Sequence, residues 1–113
     1  MIKRIYSTLK RANLNPYWPG IHTGECKERY CVVKDGTQTP STQSNSVGYR
    51  IADIIIFVPF GSYVAIGKYA KEIKTILKDL PIRYAGETPA ITDDEKKAYT
   101  TSIQYQVFKK MEG

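Results

Sequence analysis

The run Tyr49 to Phe60, YRIADIIIFVPF, is too hydrophobic for a strand with one wet face. Counted in twos, Ala52, Ile54, Ile56, Val58 and Phe60 fall on one side. Ile51, Ile55 and Phe57 fall on the other, interrupted by Asp53. A chain of 113 residues covers one face of a small sheet with its own helices. The face of Ile51, Ile55 and Phe57 then needs another cover, and the expectation is a neighbouring subunit. Assembly, rather than chemistry, is the first functional expectation.

The length suits one domain spanning residues 1–113, and folding at this size hides about two-thirds of the surface an unfolded chain exposes. No apolar stretch approaches the roughly 20 residues of a membrane span, so no membrane partner is expected. The opening MIKRIYSTLK is basic but has no apolar core or small-residue cleavage site, so the chain is expected to stay in the cytoplasm that makes it. The net charge of +6 permits contact with nucleic acid or an acidic partner, yet the lysines are spread along the chain without a dense block.

Helical periodicity runs from about Ile2 to Asn13, with Ile2, Ile5, Leu9 and Ala12 along one side and Pro16 beyond its end. Tyr17 and Trp18 read as a cap on one end of the core. Glu28 to Lys34, ERYCVVK, has the composition of a buried strand, closed by a turn signal at Asp35-Gly36. Residues 36–48 carry no charge, and Val47 is their only aliphatic residue. This composition predicts a mobile loop between strands and a docking arm, with Thr37, Gln38, Thr39, Pro40, Ser41, Thr42, Gln43, Ser44, Asn45 and Ser46 as its contact residues. Ser62 is placed as the N-cap of a second helix, whose stripe is Ile66, Tyr69, Ala70, Ile73, Ile76, Leu77 and Leu80, with Lys74 facing water and Pro81 as the stop. Ile82 to Tyr84 reads as a short strand. Thr92 to Glu95 has the spacing of a capping box over a helical turn. From Tyr99 to Lys109 the alternation is clean, with Tyr99, Thr101, Ile103, Tyr105 and Val107 on the inner face. The predicted fold is α+β, two helices packed on one face of a small antiparallel sheet, in the order α-β-β-α-β-β.

Catalytic signatures find no support. His22 sits in a loop without an acidic neighbour before Glu25, and Gly61-Ser62 lacks the frame of a nucleophile elbow. No glycine-rich phosphate loop is present, and Asp93, Asp94 and Glu95 lack the alternation of a calcium loop. His22, Cys26 and Cys31 form H-x3-C-x4-C, short of the paired spacings and fourth ligand of a structural zinc site. No cofactor or metal is expected, and both cysteines are expected reduced.

The element order, together with ERYCVV, DIIIFVPFGSY, AIGKYAKEIKTIL and the closing TSIQYQVFKK, resembles the small tail-terminator (tail-completion) proteins of tailed bacteriophages and prophages. The similarity spans nearly the whole chain as an order of elements, and VPFGSY and TSIQYQV carry most of it. It implies an α+β structural protein of the virion neck, not an enzyme, assembled as a hexameric ring on the tail. Its implied partners are further copies of itself, the major tail tube protein and the head-tail connector or stopper protein. DNA would pass through the lumen without sequence-specific binding. On this basis the Ile51, Ile55 and Phe57 face packs on a neighbouring subunit, and the 36–48 segment reaches a tube or connector protein. The alternatives are a head-completion or stopper protein of the same neck and, from the charge, a small basic nucleic-acid-binding protein.

Overall fold

The apolar run becomes the inner strand of a six-stranded sheet. The structure, a computed structural model, describes residues 1–39 and 49–108. Its elements in chain order are helix α1 (Ile2–Arg11), strands β1 (Pro16–Tyr17), β2 (Tyr30–Thr39) and β3 (Tyr49–Pro59), helix α2 (Val64–Leu77), and strands β4 (Arg83–Glu87), β5 (Ile91–Asp93) and β6 (Ala98–Phe108). The sheet order is β1-β2-β3-β6-β4, with β5 also paired to β6. Only β1 runs parallel to its neighbour; the other pairings are antiparallel. The fold is therefore α+β.

Two short strands correct the predicted order. Pro16 and Tyr17 pair with Cys31 and Val32, and two residues have no periodicity that a sequence could display. Ile91 to Asp93 pair with Ala98 to Thr100, so Thr92 to Glu95 enters a hairpin turn rather than a helical one. The Asp93 carboxylate accepts the Lys96 amide at 3.1 Å, and Lys97 turns the chain with φ 53°. An Asp side chain serves such a turn with the same local hydrogen bond that it offers a helix N-terminus.

Helix α1 stops through Asn13 rather than through Pro16 alone. Asn13 adopts φ 59°, its amide bonds the Lys10 carbonyl, and the Leu14 amide bonds that of Leu9. These paired bonds form the left-handed helix stop in which Asn substitutes for Gly. They turn Leu14 into the core, where Tyr69 Oη donates to the Leu14 carbonyl at 2.5 Å. The main core cluster joins Ile5 and Leu9 of α1, Ile66, Tyr69, Ala70, Ile73 and Leu77 of α2, and the alternating Ala52, Ile54, Ile56 and Val58 of β3. Thr101, Ile103, Tyr105 and Val107 of β6 are buried, as the alternation required.

Three local readings change. Tyr63, not Ser62, precedes the first turn of α2, and no side chain caps it. Ile76 is 37% exposed, so the buried stripe is narrower than the sequence pattern. Asp35-Gly36 does not end β2: the strand continues to Thr39, with a register shift between Asp35 and Gln38. A side chain at Gly36 would stand 2.6 Å from the Ile51 carbonyl oxygen, so glycine serves here for close backbone approach in a bulge.

Candidate assembly surfaces

Pairing across the sheet sets the composition of the face opposite Ala52, Ile54, Ile56 and Val58. On β3 it carries Ile51, Asp53, Ile55 and Phe57, whose partners are Val32 and Lys34 of β2 and Thr100, Ser102, Gln104 and Gln106 of β6. Opposite residues share a face, so each apolar residue of β3 lies between polar side chains of β6.

The sequence-predicted interface residues do not share one environment. Phe57 is 8% exposed, covered by the chain's own segment before β2. Its ring stacks on Tyr30 with centroids 4.8 Å apart, and Tyr30 stacks on His22 at 3.7 Å. Tyr17 meets both His22 and Tyr30 edge-on. Lys96 lays its ammonium 5.5 Å from the Phe57 centroid and 5.8 Å from that of Tyr30. Cys26 completes this second cluster with Ala98, and its amide donates to the Lys96 carbonyl at 2.8 Å. Ile55 is half-buried at the cluster's margin, and Ile51 is half-buried beyond it. A neighbouring subunit would therefore meet Ile51 and Ile55, with Phe57 already enclosed.

Of the predicted docking residues, Thr37, Gln38 and Thr39 belong to β2, Gln38 pairing with Arg50 and Thr39 with Tyr49. That part of the predicted loop is strand, because β3 offers it a partner beyond the bulge. Pro40, Ser41, Thr42, Gln43, Ser44, Asn45 and Ser46 lie outside the described residues.

The aromatic ladder of Tyr17, His22, Tyr30 and Phe57 was missed as a unit; the density of rings between Tyr17 and Tyr30 was the available signal. The His22 Nδ1 and the Tyr30 hydroxyl are buried without a hydrogen-bond partner among the described residues. Burial first, and the charge of Lys96 second, hold the His22 imidazole below its ordinary value of 6.5. Cys26 and Cys31 are both free and buried. Burial pushes the Cys31 thiol up to about 11 and raises that of Cys26. Among the described residues, no three His, Cys, Asp or Glu side chains converge as a metal site would require.

Two grooves flank α2. One, of about 510 Å³, is lined by Ala12, Leu14, Thr75 and Ile76 with Lys68, Lys71 and Glu72 at its margins. Glu72 is neutralised by Arg29, whose guanidinium holds both carboxylate oxygens, at 2.5 and 3.3 Å. The other, of about 360 Å³, lies between the start of α2 and the β4–β5 connection, with Tyr63, Val64, Ala90 and Thr101 among its residues. Beside it, Phe60, Tyr63, Val64 and Ile91 are exposed, at 44%, 59%, 65% and 62%. Tyr99 joins two of them, meeting Phe60 and Tyr63 edge-on with centroids 5.2 Å apart in each case.

At the far end of α2, Lys74 does not simply face water. It donates to Glu87 at 2.7 Å, Tyr84 donates to the same carboxylate oxygen at 2.7 Å, and the ammonium lies 5.4 Å from the Tyr84 centroid. No protein-family model matches the chain, and no curated protein is significantly similar to it.

Proposed function

We propose that this chain is a structural subunit of a phage neck, assembling as a hexameric ring that terminates the tail tube and joins it to the head connector. On this reading both helices cover the Ala52 to Val58 side of the sheet, and the opposite side meets neighbouring subunits. Exposed apolar surface carries the proposal. Phe60, Tyr63, Val64 and Ile91 stand open together at one end of the fold, and Ile51 and Ile55 are only half-covered on the sheet. Clustered large apolar side chains of this kind mark protein contacts rather than ordinary solvated surface. The order of elements, from the amphipathic N-terminal helix to the closing TSIQYQV strand, supports the tail-terminator assignment over a generic oligomer. Work of this kind is mechanical: the subunit holds a shape against its neighbours, with no reaction to catalyse. Residues 37–46 are the proposed contact to tube or connector protein.

The test is a nonsense mutation at the gene in the phage or prophage that carries it. Electron microscopy should show DNA-filled heads and separate tails, and antibody against the chain should label the head-proximal tip of wild-type tails. Normal joined particles from the mutant would refute the proposal. Joined particles whose heads lose DNA would move the assignment to a stopper.

A further inference from the structure

The groove between α1 and α2 and the hairpin entering β6 are chemically complementary to each other. The groove has an apolar floor of Ala12, Leu14 and Ile76 beneath Lys68 and Lys71. Neither lysine takes part in an ion pair among the described residues, and Glu72 beside them is already held by Arg29. The hairpin offers the reverse: Ile91 is 62% exposed, and Asp94 and Glu95 are exposed at its tip. Its own lysines are engaged elsewhere, Lys97 with Glu25 at 3.4 Å and Lys96 over the Tyr30 and Phe57 rings. Asp94 and Glu95 have no ion-pair partner among the described residues.

We infer that the Ile91–Asp94–Glu95 hairpin of one copy seats in the Lys68–Lys71–Ile76 groove of the next. A chain of net charge +6 repels its own copies, so a contact between copies must join opposite local charges. This pair does so around an apolar centre, the arrangement in which rim charges set register and the desolvated core holds. The two patches share no residue, so the contact is head-to-tail. A head-to-tail contact propagates into a closed ring or an open filament, never into an isolated two-fold dimer. The inference rests on the ring reading above and specifies the surfaces that would build it.

Sedimentation velocity across a range of concentrations tests it, using the wild type, Lys68→Glu/Lys71→Glu and Asp94→Lys/Glu95→Lys. The wild-type mass should rise with concentration, and each charge-reversed variant alone should associate at least about tenfold more weakly. An equimolar mixture should regain association, since every groove then meets a hairpin of opposite sign on the other variant. All four positions are exposed, so melting curves should match the wild type. Ile91→Ser supplies an arm free of charge change and should weaken association as well. Variants that associate like the wild type, a mixture that fails to recover, or a wild type that stays monomeric at every concentration would each overturn the contact. Separate heads and tails from the nonsense mutant alongside such a result would leave the ring standing, built through another surface.

Discussion

Ile73 and Ile76 occupy the same apolar stripe in the sequence but different environments in the fold, so truncating each to Ala measures what the tertiary structure added. Ile73 is fully buried in the core cluster with Ile54, Ile56 and Tyr69. Its substitution removes the Cγ1, Cγ2 and Cδ1 atoms. At about 0.8 kcal/mol per buried carbon, the transfer loss alone is about 2.4 kcal/mol. A packed helix–sheet interface collapses only in part, and the residual cavity brings the total to about 3–4 kcal/mol, within the range known for such truncations. That is a large share of the roughly 5–15 kcal/mol that stabilises a domain. Ile76, 37% exposed at the rim of the groove, makes fewer contacts and should cost about 1 kcal/mol or less. Urea titration at low protein concentration, where the groove is unoccupied, compares the midpoints at a common slope. Equal losses for the two variants would refute the assignment of the core-facing side of α2. A loss below about 1 kcal/mol for Ile73→Ala would show the interface to be loosely packed.

Three further outcomes are expected. Gly36→Ala should destabilise by about 1–3 kcal/mol in the same titration, because the added carbon meets the Ile51 carbonyl backbone at 2.6 Å and cannot be relieved by a side-chain rotation. Iodoacetamide at mildly alkaline pH should modify Cys31 slowly in the folded protein and rapidly in denaturant, since burial raises its thiol to about 11 and withholds the reactive thiolate. His22, held below 6.5 by burial and Lys96, binds its proton less readily folded than unfolded. Stability should therefore be full above about pH 6.5 and decline as pH falls from there towards the folded value, and His22→Asn should flatten that slope in pH-dependent melting.

Much of the architecture is legible in local pattern. The alternation of β3 and β6 gives their inner faces residue by residue, and the helical stripe of α2 holds at Ile66, Tyr69, Ala70, Ile73 and Leu77. Periodicity reports which side of an element is apolar; it does not report which other segment lies over that side. Phe57 therefore reads as a surface awaiting a partner, although Tyr30, His22 and Cys26 from earlier in the chain enclose it. The same limit hid β1, whose two residues become a strand only because Cys31 and Val32 lie beside them. It let Asp35-Gly36 pass for a turn, when β3 provides the partner that carries β2 past the bulge. Ile76 and the Ile91 hairpin show the converse. Sequence marks both as apolar, and only their placement, one beside Lys68 and Lys71 and the other beside Asp94 and Glu95, makes them two halves of a contact. Local side-chain chemistry determined the elements and their inward faces. Burial, pairing and surface complementarity were decided by long-range packing, where the free energy of each residue depends on neighbours that the chain brings from far along its length.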